Sequence, residues 1–378
     1  MERMTLRIKS NRLGSLKRFA SIQRATVSCA LILMCFLLTC CTEPPPPPPP
    51  IFPTGQIITD TITSEALKNN KLGDSHIRNM TIYLPPSYAS SNKVYPVIYL
   101  LHGYGGNERS YVDEVGEPVA ILIVDGLIKT GALKEVIIVM PDGKNKYGGS
   151  YYANSELTGN YEDYIAEEIV NHIDDSYRTI RDRNSRAILG ASMGGYGAIA
   201  LAMKHPETYS SAACMSPPLG FDPISEAMIP EVIKENPDGM DGPIPDSKRQ
   251  YTSYVYSLSA ALSPNLDNPP FFVDLPFEYP SGKIIESVRQ RWLKGDPLAM
   301  LSTHGSALEK MKGIYIDMGN RDLPGFFEAA NAFHQRLADM GIEHKYVVYP
   351  GGHSDLAVAR AISSLKFVSA LLPDPKAP

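Results

Sequence analysis

The sequence predicts an α/β fold, a mainly parallel twisted sheet flanked by helices, and three observations carry that reading. Seven short strand-like segments alternate with helical ones, at 79–84, 97–101, 136–140, 186–189, 210–215, 313–318 and 345–349. Such alternation places parallel strands beneath helices on both faces. One segment, Arg186 to Leu189, runs into Gly190-Ala191-Ser192-Met193-Gly194 and then a helical stretch from Tyr196 to His205. Strand, sharp turn and helix together are the setting in which a serine hydroxyl is thrust out above a sheet. The last segment runs into Tyr349-Pro350-Gly351-Gly352-His353-Ser354-Asp355, which puts a histidine on the loop after the final strand.

Taken in chain order, the amino terminus reads as an export signal. Residues 1–24 carry seven basic side chains against Glu2, and an apolar run from Ala25 to Thr39 follows. That run is short for a transmembrane helix, which needs about 20 residues. It ends in Leu37-Leu38-Thr39-Cys40-Cys41, similar to a bacterial lipoprotein signal, with Cys40 or Cys41 as lipid acceptor. An uncleaved membrane anchor is the alternative. Pro44 to Pro50 form an unbroken proline run, an extended semi-rigid spacer. The expected organisation is therefore signal 1–41, linker 42–56 and catalytic domain 57–378.

Of five cysteines, four lie in or at the end of the signal. Cys214 alone remains, so no intramolecular disulfide is expected, and its strand context makes it a small buried hydrophobe. Loss of residues 1–40 would move the net charge from -5 to -11. A domain that acidic is poorly suited to nucleic acid.

Val97 to Leu101 leads into His102-Gly103-Tyr104-Gly105-Gly106. Flexible backbone at that place supplies one amide of an oxyanion hole, and the residue after the nucleophile supplies the other. The donors assigned are Tyr104 and Met193. His102 supports this loop or reaches substrate. On the loop after Met140-Pro141-Asp142-Gly143, Tyr147, Tyr151 and Tyr152 are candidates for a pocket rim. From Tyr161 to Tyr177, apolar residues recur at Tyr161, Ile165, Ile169 and Ile173, one helical face.

Ser192 needs a base and a carboxylate to orient it, and in this architecture the order along the chain is Ser, Asp or Glu, His. His353 is the base. Gly313 to Gly319 reads as a buried strand, and Asp322 sits on the loop beyond it, at the edge from which such sheets build their sites. Asp317, inside the strand, is its competitor, and a helix cap is the other use for Asp322. His76, His172, His205, His334 and His344 lie in or beside periodic segments, and His304 in a weakly patterned region.

Together these stretches resemble the esterase D-like branch of the α/β-hydrolases, which includes feruloyl and acetylxylan esterases, S-formylglutathione hydrolases and mycolyltransferases. The resemblance covers roughly residues 77–372. It is carried by Thr81-Ile82-Tyr83-Leu84-Pro85-Pro86-Ser87-Tyr88, the His102 loop, Met140 to Gly143, Gly190 to Gly195 and Pro350 to Ser354. It implies an α/β-hydrolase fold, Ser192 as nucleophile, Asp322 as acid, His353 as base, and Tyr104 and Met193 as oxyanion donors. Many relatives carry a tryptophan soon after the histidine, whereas Ser354-Asp355-Leu356 follows here.

Between Ser216 and Lys312 the alternation breaks, and the chain is rich in proline and aromatics, including the only tryptophan, Trp292. A long structureless insertion at about 217–312 is expected to arch over Ser192 as a lid. Its aromatics would wall an acyl or alcohol pocket, with Trp292, Tyr151, Tyr152 and His102 as substrate contacts. The expectation is an exported, membrane-tethered serine carboxylesterase acting on small-molecule or polysaccharide-linked esters, acetyl or feruloyl by resemblance. Acyl transfer by the same triad and a non-enzymatic surface module are the rivals. No metal or organic cofactor is expected, since there is neither a cysteine-histidine cluster nor a G-x-x-x-x-G-K loop.

Overall fold

The computed structural model describes residues 53–242 and 248–378. The signal with Cys40 and Cys41, the proline run, Pro243 and Pro245 lie outside the described residues. The sheet opens with an antiparallel pair, β1 (Gln56–Thr63) and β2 (Ile77–Leu84). β3 (Val97–Leu101) leads through α1 (Ser110–Asp113) and α2 (Glu117–Lys129) to β4 (Ile137–Pro141). A short hairpin, β5 (Asn154–Ser155) with β6 (Gly159–Asn160), precedes α3 (Tyr161–Asp163), a π-helical turn at Tyr164–Ile169 and α4 (Val170–Ser176). β7 (Arg186–Ala191), α5 (Met193–Lys204) and β8 (Ser211–Met215) follow. Then come α6 (Phe221–Glu235), α7 (Gln250–Leu262), α8 (Glu286–Leu293) and α9 (Pro297–Leu308). The chain closes with β9 (Gly313–Gly319), α10 (Phe326–Asp339), β10 (Lys345–Tyr349) and α11 (Ala357–Leu371).

Eight strands form one sheet in the order β1-β2-β4-β3-β7-β8-β9-β10. Pairing is antiparallel at β1–β2 and β2–β4 and parallel from β4 onward. Period-two side-chain alternation sorts the apolar residues to two faces. Val97, Tyr99 and Leu101 of β3, Ile188 of β7 and Ile314 and Ile316 of β9 join the larger core with α5 and α10. Ile98 and Leu100, Ala187 and Leu189, and Tyr315 join the smaller core against α2 and α11. Both faces are covered, so the central strands read as unbroken apolar runs.

Two local features depart from expectation. The strict four-residue repeat from Tyr161 to Ile173 drifts by about 40° per step around an ideal α-helix. The π turn widens the coil there, and Tyr161, Ile165, Ile169 and Ile173 all stay buried. The insertion, for its part, contains four helices among its described residues rather than a structureless stretch. α9 packs against α5 and α10 of the body, so at least this part of the expected 217–312 lid belongs to the packed domain.

Asp296 ties this insertion down. Its side chain caps α9, accepting hydrogen bonds from the amides of Leu298 (2.7 Å) and Ala299 (3.1 Å), and also accepts from Phe221 at the start of α6 (2.5 Å). Burial pushes its carboxyl up to about 6, against the pull of those three amides. A carboxyl raised in the folded state contributes stability that is complete below its unfolded value, 3.8, and is lost as pH rises through about 6. Subtracting the urea midpoints of Asp296→Asn from those of wild type, between pH 3.5 and 7, is expected to give a difference that falls across this window. A flat difference would refute the assignment.

Candidate active site

Two glycine-dependent approaches and one backbone hydrogen bond shape the turn after β7. Ser192 has φ 54° and ψ -119°, a conformation costing about 1–3 kcal/mol that persists only where the surroundings enforce it. A Cβ on Gly190 would lie 2.5 Å from the backbone of Gly194, and one on Gly194 would overlap the carbonyl oxygen of Leu101 in β3. The Ser192 amide donates to the Met215 carbonyl of β8 at 2.7 Å. Strand and helix therefore meet with no room for a side chain. Gly194→Ala is expected to displace α5 from β3 and lower the melting temperature by several degrees, since overpacking costs about 1–3 kcal/mol. An unchanged melt would contradict this close approach.

Asp322 and His353 come together from the ends of β9 and β10. The His353 Nδ1–H donates to Asp322 Oδ1 at 2.5 Å, and the Leu323 amide donates to the same oxygen at 2.7 Å. The Asp322 carboxylate is fully buried, and its Oδ2 has no hydrogen-bond partner among the described residues. Burial pushes this carboxyl up, but the hydrogen bond and charge of His353 and the Leu323 amide outweigh it and hold it below the ordinary carboxylate range. With Nδ1 committed to Asp322, the proton-accepting nitrogen is Nε2. The imidazole stands edge-on to Phe326, with ring centroids 5.5 Å apart at 88°. Asp317 is elsewhere engaged, paired with Arg360 of α11. Asp355 accepts from the Gly352 amide at 2.9 Å and stabilises the turn that carries His353.

Ser192 and His353 share the wall of one cavity of about 320 Å³ with Gly103, Tyr104, Tyr254 and Arg360. No hydrogen bond joins the Ser192 hydroxyl to the ring among the described residues, a separation common before substrate binds. A Cβ on Gly103 would lie 3.3 Å from the Ala191 carbonyl, which brings the glycine loop against the Ser192 turn. The Tyr104 side chain is fixed by a bond from its hydroxyl to the Tyr147 carbonyl (3.0 Å) and by edge contact with Tyr254 at 4.8 Å. The amides of Tyr104 and Met193 donate to no backbone carbonyl among the described residues. Met193 opens α5, where unpaired amides and the helix dipole favour negative charge.

The four expected substrate contacts fall elsewhere. His102 is buried, with Nδ1–H donating to the Gly103 carbonyl and Nε2 accepting from the Gly143 amide, both at 2.8 Å. Both nitrogens are spent on holding loops. Tyr152 donates to the His102 carbonyl at 2.8 Å, and its ring fills the space beside Gly143 and Gly197. Tyr151 and Trp292 line a separate apolar void of about 30 Å³. Trp292 Nε1 donates to Ser263 Oγ at 2.9 Å, and its ring meets Phe221 edge-on. Trp292 thus packs the insertion's own helices together, and Tyr152 packs within the body. The side chains facing the Ser192 cavity are instead Tyr254 of α7, Ser110 and Glu114 beside α1, and Arg360. Arg360 alone left a trace in the sequence, as a charge on the buried face of an apolar helix.

The sheet order, the Ser192 turn and the Asp322–His353 pair define an α/β-hydrolase-type protein. Residues 75–357 match the family model Esterase, described as "Putative esterase", and the chain belongs to that family. It is 33% identical over 143 residues to Esterase Rv1288 of Mycobacterium tuberculosis, covering 37% of this chain and 29% of that protein. It is 31% identical over 186 residues to an endo-1,4-beta-xylanase/feruloyl esterase of Xylanibacter ruminicola, covering 44% and 24%. The matches thus span less than a third of the length of these curated relatives. Among solved structures, a ferulic acid esterase superposes with TM-score 0.59 at 21% identity, covering 85% of this chain and 99% of that one. An S-formylglutathione hydrolase of Staphylococcus aureus gives 0.53 at 18%, covering 82% and 99%. At those identities the likeness is one of fold.

Proposed function

We propose that this chain is an exported serine carboxylesterase. The observation that carries the reading is the 2.5 Å bond between His353 and a buried Asp322, in a cavity shared with Ser192. In the proposed reaction Ser192 Oγ attacks the ester carbonyl while its proton passes to His353 Nε2. Asp322 orients the ring and stabilises the imidazolium. The oxyanion is held by the amides of Tyr104 and Met193 until the carbonyl re-forms. His353 then gives its proton to the departing alcohol, leaving an acyl-enzyme. Water, deprotonated by His353, repeats the cycle, releases the acid and restores Ser192.

The relative named endo-1,4-beta-xylanase/feruloyl esterase supports acetyl or feruloyl esters on plant polysaccharide as the substrate class. The test is release of acetate or ferulate from acetylated and feruloylated xylan beside hydrolysis of short aryl esters. Cleavage of aryl esters with nothing released from xylan would overturn the substrate class. Dominant transfer of the acyl group to an added alcohol would replace hydrolysis with acyl transfer. Export and tethering are supported by the basic-then-apolar segment ending at Cys40 and Cys41. Cell fractionation of the full chain and a Cys40→Ala/Cys41→Ala variant tests them. A cytoplasmic wild type would exclude export, and identical membrane recovery of the two would exclude lipidation.

A further inference from the structure

We infer that Arg360 is a positioning residue that holds the chain segments of the proposed triad in register. The inference rests on the esterase reading above. Arg360 lies on α11, buried, and its five N–H groups meet acceptors in three separate segments. Nε and Nη2 donate to Asp317 Oδ1 of β9 at 3.0 and 2.7 Å. Nη2 also donates to Ser216 Oγ at 2.7 Å. Nη1 donates to the carbonyls of His353 at 3.0 Å and Asp355 at 3.3 Å. The guanidinium lies over the Tyr349 ring, 4.4 Å from its centroid.

Each partner bears on one proposed catalytic group. Asp317 stands on the strand whose end carries Asp322. Ser216, with φ 45°, follows Met215, the residue whose carbonyl takes the Ser192 amide. The two carbonyls belong to the loop that carries His353. Tyr349 extends the same network, donating to the Gly352 carbonyl at 2.9 Å and lying 3.1 Å from Ser216 Oγ. Although Arg360 borders the Ser192 cavity, all five of its donors are spent. It is therefore committed to geometry and is not free to bind an anionic substrate group.

A planar five-donor fork is required for this, and lysine cannot reproduce it. Lysine does keep a positive charge against Asp317, which avoids stranding a buried carboxylate. Arg360→Lys is expected to melt cooperatively, with KM for a short aryl ester within about twofold of wild type and kcat lowered about 10- to 100-fold, the scale of a small misplacement. Added guanidinium at sub-denaturing concentration is expected to restore part of the kcat of Arg360→Ala. A wild-type kcat in Arg360→Lys overturns the inference. So does loss of the cooperative melt in both variants, which assigns Arg360 to stability alone. Failure of the esterase reading shows separately, as a wild type that hydrolyses no ester.

Discussion

Ser192→Ala is expected to lower kcat on a short aryl ester about 10⁶-fold and to abolish labelling by an organophosphonate. That scale follows from removing the nucleophile of a group that acts as a unit, leaving only the oxyanion donors and binding. Stability should change by less than about 0.5 kcal/mol, because the lost hydroxyl makes no hydrogen bond among the described residues and alanine inherits the same backbone turn. KM should stay near the wild-type value, since the cavity walls are untouched. Esterase activity retained in pure Ser192→Ala, with label still attached, would remove Ser192 from the chemistry.

Asp322→Asn carries the next largest effect, a fall in kcat of about 10⁴-fold. The amide is nearly isosteric, but its NH₂ can turn toward Nδ1. The ring then carries its proton on Nε2, facing Ser192, where a base must have a lone pair. The wild-type carboxyl is held below 3.8 by His353 against the opposing effect of burial. Its folded value is lowered, so its pairing contributes stability above 3.8 that disappears as pH falls through the folded value. Across pH 5 to 9 wild-type Asp322 stays ionised, and the defect in Asp322→Asn should persist over that whole range. A kcat within tenfold of wild type would return the role to another carboxylate, with Asp317 the first to test.

The candidates Ser192, Asp322 and His353 could be singled out because each lies just beyond a strand-like run and because chain order restricts the choice. Strand positions in the parallel part of the sheet were legible because β3, β4, β7, β8 and β9 are buried on both faces. β1 was not, because Gln56–Thr63 is half-exposed on either side and lacks a hydrophobic signature. The helices of the insertion were hidden in another way. α7 buries Ser253, Ser257 and Ser259 beside Val255 and Leu258, so its inner face reads as polar. The pocket contacts failed because aromatic residues cannot be assigned from sequence to a cavity or to a packed seam. Tyr151 and Trp292 line only the seam, whereas Tyr254 of α7 borders both the seam and the Ser192 cavity.

Cys214, on β8, is wholly buried, and burial drives its thiol far above the ordinary range. A sulfhydryl reagent at neutral pH meets almost no thiolate there and no path to it. In a chain beginning after residue 41 this is the only cysteine, so one introduced at the exposed Leu266 would accept a fluorophore alone. The insertion could then be watched in solution without first removing any native thiol.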